Sequence, residues 1–281
     1  MSEQTITSEQ KIIDTPGNWD IASQGYASNI APYMMEPFAA EIIHRLDVDH
    51  QANVLEVAAG SGALTLALSK RVKSLLATDF SPKMLEILGE RISDAGIENT
   101  ELELMDGQAL EIDNASFDRA ACSFGIMLFP ERHKGFSELV RVLRPQGKAV
   151  VCAWAGPDKF EAFGLFMEGI QKAFPDFPKP EKPLPVFSLS DPVSFKEQME
   201  AAGFMNVEVE FVAKTLVIES FDTLWGMLTI GAPPVKILFD QVGDEGIVRI
   251  REAMFEIIDK RYGSEPISLT NVATMGYGNV A

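Results

Sequence analysis

The stretch at residues 54–70, VLEVAAGSGALTLALSK, sets the tightest limit on what this chain can fold into. A compact apolar run from Val54 to Val57 stops at small residues, and Leu64, Leu66, Ala67 and Leu68 then recur at helical spacing. That is a buried strand, a glycine turn and a helix opening near Gly62. Gly60 and Gly62 carry no Cβ, so the backbone can bend sharply and a ligand can come close. A helix start also offers unpaired N–H groups and partial positive charge. The spacing, E-x-A-x-G-x-G from Glu56 through Ala58 and Gly60 to Gly62, lacks the third glycine of a dinucleotide fingerprint. No lysine follows Gly62, which excludes a P-loop.

Further strand and helix patterns follow in alternation. Residues 74–79 form a second strand that ends in Asp79, 19 positions beyond Gly60. In parallel α/β units an acid there can accept two hydrogen bonds from a ribose. Ser81 caps the next helix, with Pro82 at its first position. A third strand at 102–105 runs into Asp106, Gly107 and Gln108, and a fourth at 116–124 ends in Ser123 and Phe124. A helix from Pro130 leads through a turn at 144–147 to a fifth strand at 149–154. Ligands of open parallel sheets bind beyond the carboxyl ends of the strands, so these end residues are the site candidates.

Taken together, these motifs resemble the class I S-adenosylmethionine-dependent methyltransferases, in their ubiquinone/menaquinone-biosynthesis-like small-molecule branch. The acid-x-small-x-Gly-x-Gly turn is similar to that family's first motif, and Asp79-Phe80-Ser81-Pro82-Lys83-Met84-Leu85 to its D-x-S-x-x-M-L. Trp19-Asp20-Ile21-Ala22-Ser23-Gln24-Gly25-Tyr26 resembles W-D-x-x-A-x-x-Y, a segment that folds over the cofactor. Phe129-Pro130 and, further on, Glu138 through Lys148 resemble that family's F-P and E-x-x-R-V-L-[KR]-P-G-G, with Gln146 in place of a glycine. The resemblance implies a Rossmann-like, seven-stranded, mostly parallel sheet with helices on both faces and helical or loop cap insertions. It implies S-adenosyl-L-methionine as cofactor and S-adenosyl-L-homocysteine as product. Glu56, Ala58, Gly60 and Gly62 are then assigned to the methionine moiety and Asp79 to the ribose. Phe80 and Met84 wall the adenine, Asp106 with Gly107 and Gln108 meets its amino group, and Ser123, Phe124 and Gly125 lie beside the sulfonium. Tyr26 joins the cofactor set. The N-P-P-[YF] or D-P-P-[YF] run of many nitrogen methyltransferases is missing after Ser123, which counts against nucleobase and peptide-amide acceptors.

The expected organisation is an N-terminal lid segment and helix at 1–46, a cofactor-binding core at 47–155 and a Pro/Phe-rich lid insertion at 156–190. A core helix and strand at 191–218, a helical cap insertion at 219–263 and a final antiparallel strand with tail at 264–281 complete it. The helices of the insertion serve either as a cap or as a homodimer surface. Met34, Phe38, Ile42 and Leu46 make the packing stripe of the first helix. Residues 1–18 are polar and expected to fray.

A formal charge of -17 repels phosphate backbones, so nucleic acid is not an expected partner. Cys122 and Cys152 sit in apolar strands and are read as packed thiols of a reducing compartment. No signal-peptide pattern or apolar run long enough to span a bilayer is found, and the cytoplasm is expected. His133, just past the fourth strand, and Tyr26 are the candidates for catalysis. His44 and His50 are expected to face solvent, and no metal-ligand spacing occurs. The expected partner is a small methyl acceptor, uncharged or partly lipophilic. Two rival readings remain: a nicotinamide-dependent oxidoreductase, and a cofactor-binding protein without turnover.

Overall fold

The computed structural model describes residues 15–178, 184–263 and 266–281. The expectations for residues 1–14, for Pro180 and Pro183 of the insertion, and for positions 264–265 lie outside the described residues.

Seven strands form one sheet. They are β1 (Asn53–Val57), β2 (Ser74–Asp79), β3 (Thr100–Leu104), β4 (Phe117–Ser123), β5 (Leu143–Trp154), β6 (Met205–Ile218) and β7 (Ile267–Asn279). Their spatial order is β3-β2-β1-β4-β5-β7-β6. Parallel pairing joins β3 through β5, and β7 alone is reversed, inserted antiparallel between β5 and β6. The chain leaves β1 toward β2 on one side while β4 lies on its other side. That reversal of direction opens a crevice at the carboxyl edge. Val54, Leu55, Ala120, Ala121, Cys122, Val150, Val151 and Cys152 are fully buried, as central parallel strands covered on both faces must be.

The helices follow their sequence signals. α1 (Pro16–Gly25) continues as a π-helical stretch (Tyr26–Met35), a 3-10 turn (Glu36–Phe38) and α2 (Ala39–Leu46). Met34, Phe38, Ile42 and Leu46 are buried along this run. After the glycine turn, α3 (Thr65–Leu68) is one turn long and passes into a 3-10 turn. The expected helix start therefore carries far less dipole than a full helix would. In α4 (Pro82–Asp94) the Ser81 hydroxyl accepts from the Met84 N–H at 3.1 Å. α5 (Arg132–Val142) leads into β5. β5 starts at Leu143, six residues before its expected start, because the 144–147 turn is absorbed as a bulge. Leu143 pairs with Phe117 and Lys148 with Arg119, so the intervening residues swell out, with Gln146 at φ 65.

The described residues of the 156–190 insertion contain α6 (Glu161–Ala173). Its aromatics pack inward, Phe160 stacking on Trp154 at 4.3 Å between centroids and Phe187 meeting Phe163 edge-on. α7 (Pro192–Ala202) is capped by Asp191 and stops at Gly203, φ 110. β6 and β7 are long strands that pair with each other from Met205 with Asn279 to Ile218 with Ile267. α8 (Phe221–Thr229) and α9 (Pro233–Tyr262), the latter kinked at Gly243, make the helical insertion between them. Among the described residues no helix is long and apolar enough to cross a membrane.

Candidate functional site

A cleft of about 810 Å³, including its open mouth, lies at the carboxyl ends of β1 to β4. Tyr26, Ala58, Gly60, Asp79, Phe80, Met84, Asp106, Gly107, Gln108, Ser123 and Phe124 all line it, with Gly125 beside them. Residues far apart in sequence thus share one hollow. Trp19, Met105, Leu128, Phe129 and Pro130 also line it and were not singled out as site residues. The signal for Trp19 was the W-D motif itself, and for Phe129 the F-P run after the fourth strand.

The β1 turn is held from several sides. Ala58 at φ 56, Gly60 at φ 55 and Gly62 at φ 92 put alternate residues in the left-handed region. The Gly60 N–H donates to Asp79 Oδ2 at 2.8 Å, and the Ser81 N–H donates to Asp79 Oδ1 at 2.9 Å. The acid therefore links the ends of β1 and β2 and keeps further lone pairs for a ligand. Burial pushes its pKa up to about 6, its backbone donors pull it back, and Asp20 raises it further. Arg91 on α4 donates to the Ser61 carbonyl at 2.7 Å and pairs with Glu36 at 2.7 Å, tying the turn to the N-terminal run.

Gly62 does not line the cleft. A Cβ there would strike the Leu88 side chain of α4, so this glycine serves helix packing. Glu56 does not line it either. It is 1% exposed under the turn, and neither carboxylate oxygen has a hydrogen-bond partner among the described residues. Burial pushes its pKa up to about 8; the nearby Thr65 hydroxyl works against this and the Asp79 charge adds to it. The Ser61 and Thr65 hydroxyls of the same turn are also buried and unpartnered.

At the β3 end, Asp106 is exposed, and its Oδ1 accepts from the Gln108 N–H at 2.9 Å and from Gln108 Nε2 at 3.1 Å. Gln108 Oε1 accepts from the Glu131 N–H at 2.9 Å, which fastens this loop to the start of α5. Gly107 is required by close packing, since a Cβ would come within 2.5 Å of Val57 and 2.6 Å of Phe129. At the β4 end, Phe124 holds φ 58, costly for a bulky residue. Its ring is fixed against Trp154 at 4.4 Å and Phe38 at 5.5 Å.

The N-terminal run closes one side. Asp20 Oδ1 accepts from the Ser81 hydroxyl at 2.6 Å and the Lys83 N–H at 3.2 Å. Trp19 meets the Tyr26 ring edge-on at 5.8 Å. Burial, with the Asp79 charge second, raises the Tyr26 hydroxyl far above its ordinary value, so it stays protonated. His133 sits on α5 with its side chain exposed and outside the lining, which corrects its expected place at the acceptor entrance. The helix begins just beyond the β4 end and turns that position toward solvent. Among the described residues no cluster of three or more His, Cys, Asp or Glu could hold a metal. Asp79 and Asp106 are the charged residues of the lining, and Glu56 lies behind the turn. The cleft is built for a ligand with positive charge and hydrogen-bond donors, not for a pyrophosphate.

Residues 54–147 match the family described as a methyltransferase domain. The demethylmenaquinone methyltransferase of Thermus thermophilus is 32% identical over 168 residues, covering 54% of this chain and 73% of that protein. That of Clavibacter sepedonicus is 38% identical over 104 residues, covering 37% of this chain and 42% of the other. The chain spans about half the length of other curated relatives it matches. In fold it is similar to a Haemonchus contortus phosphoethanolamine N-methyltransferase solved with phosphomonomethylethanolamine and S-adenosylhomocysteine. There the TM-score is 0.59 at 15% identity, over 98% of this chain and 61% of that one.

Proposed function

Because the chain belongs to the class I S-adenosylmethionine-dependent methyltransferases, in the branch of the quinone-biosynthesis enzymes, we propose that it methylates a small-molecule acceptor. The observation that carries the proposal is the acidic hollow in which Gly60, Asp79 and Asp106 meet, with no lysine or arginine in its lining. A cationic sulfonium with an ammonium group suits that field, and a dinucleotide does not.

The residues present fit the cofactor. Asp79 is assigned to the ribose hydroxyls, Asp106 to the adenine amino group, Phe80 and Met84 to the ring faces, and Gly60 to the methionine end. When bound, S-adenosylmethionine supplies an electrophilic methyl group on a positively charged sulfur. Phe124, Leu128 and Phe129 exclude water from the reacting end, and the rate gain is assigned to holding the acceptor in line. Tyr26, protonated at neutral pH, positions and donates and does not act as a base. The acceptor must therefore bring a nucleophilic atom of its own.

The apolar lining supports an uncharged or partly lipophilic acceptor. The charge of -17 speaks against nucleic acid, and two buried free thiols support a cytoplasmic setting. We assign residues 16–46 to the lid and 47–155 to the cofactor core. The 156–190 insertion is assigned to the aromatic wall behind Phe124, and 219–263 to a cap. Calorimetric titration with S-adenosylhomocysteine tests the reading. Asp79→Asn removes the charge, and its amide nitrogen cannot accept from the Gly60 or Ser81 N–H; with each charge-assisted bond contributing about 1.5–3 kcal/mol, affinity should fall roughly 10- to 1000-fold. Unchanged affinity removes the ribose assignment, and no uptake by the wild-type protein removes the function.

A further inference from the structure

The residue before Tyr26 is crossed by a distant part of the chain. Gly231, in the link between α8 and α9, stands at φ +92, and a Cβ on it would overlap the Tyr26 nitrogen and the Gly25 carbonyl carbon. Reciprocally, a Cβ on Gly25 would lie 2.9 Å from the Gly231 nitrogen and 2.9 Å from Ile230 Cγ2. Two backbones touch there with no side chain between them. One helical turn on, Asn29 donates to the Gly25 carbonyl at 3.0 Å, and a Cβ on Gly226 of α8 would lie 3.3 Å from its Oδ1. Tyr26 is also where the regular helix gives way to the π-helical stretch, so its backbone is not held by α-helical pairing alone. On the other side its ring faces Trp19 and comes to 3.8 Å from where a Cβ on Gly60 would stand.

We propose that Gly231 is a positioning residue for Tyr26, so that the 219–263 insertion sets how the N-terminal strap sits over the cleft. None of the insertion's described residues lines the cleft, and it acts on it through this crossing. Moving the Tyr26 backbone moves the ring that stands over Gly60, and with it the shape of the methionine end. The inference rests on the cleft being the cofactor site.

Three variants separate positioning from loss of fold. Gly231→Ala adds both left-handed strain and the clash. Gly243→Ala, in the kink of α9 at φ +67 with nothing within 4 Å, adds comparable strain and no clash. Gly25→Ala adds the clash alone, since its φ of -62 suits alanine, and it remains informative if Gly231→Ala does not fold. Hydrogen exchange without ligand should show faster exchange at residues 25–31 in Gly231→Ala and Gly25→Ala and not in Gly243→Ala. Titration with S-adenosylhomocysteine should show about tenfold weaker binding in the same two variants. In a Tyr26→Ala background the Gly25→Ala change should add no further loss, because the ring it displaces is gone. Equal exchange and equal affinity across the variants overturn the proposal while the wild-type titration leaves the site intact. Full additivity with Tyr26→Ala overturns the route through Tyr26. A wild-type protein that takes up no S-adenosylhomocysteine overturns the cofactor reading, and this inference with it.

Discussion

Glu56 carries a direct test of the site's electrostatics. Its carboxylate is buried with no hydrogen-bond partner among the described residues, and its pKa is pushed from 4.5 up to about 8. The folded protein therefore holds a proton there that the unfolded chain gives up near pH 4.5. Stability from this group is whole below that pH, declines as pH rises toward 8 and stays reduced above it. A displacement of roughly 3.5 units corresponds to about 5 kcal/mol as a ceiling, and relaxation of the site brings the expected effect to about 2–5 kcal/mol. Glu56→Gln keeps the shape and cannot ionise. At pH 5 the two ligand-free proteins should melt within a few degrees of each other. Toward pH 9 the variant should gain, at about 2–4 °C per kcal/mol for a large domain, roughly 4–20 °C. Asp79, raised to about 6, titrates in both proteins and largely cancels in the difference. Thermal melts from pH 5 to 9 read this out, and a constant gap across the series would refute the buried, ionising Glu56.

Gln146 holds a left-handed φ of 65 on an exposed bulge, so Gln146→Gly should raise stability by about 0.5–1 kcal/mol in urea denaturation; a loss would mean that the side chain holds the bulge. Gly107→Ala forces a Cβ into Val57 and Phe129 and should lower stability by about 1–3 kcal/mol, with cofactor affinity falling alongside. An unchanged melting curve would mean that Phe129 swings away freely. His133→Ala, at an exposed helix position, should leave stability within about 0.5 kcal/mol and methyl transfer unchanged; a large loss of turnover alone would bring His133 back into the site.

The sequence alone determined the elements that rest on local rules. The strand–turn–helix at 54–70 and the Ser81 cap follow from backbone requirements within a few residues, and the structure has both. The acids and small residues at successive strand ends were legible too, because parallel connections bring every carboxyl end to the same edge. Tertiary structure decided which of these residues look into the cleft. Gly62 answers to Leu88 of α4, His133 turns outward, and Glu56 is sealed beneath the turn without a partner. In the Pro/Phe-rich insertion, tertiary packing stacks Phe160 on Trp154 and sets Phe187 edge-on to Phe163. The crossing of Gly25 and Gly231 joins positions 206 residues apart, and no periodicity encodes such a contact. Local patterns fix which backbone geometry forms, since hydrogen bonding and sterics act over neighbouring residues. Which side chain meets which across the molecule is settled only when the elements pack, because that depends on volumes supplied from the whole chain.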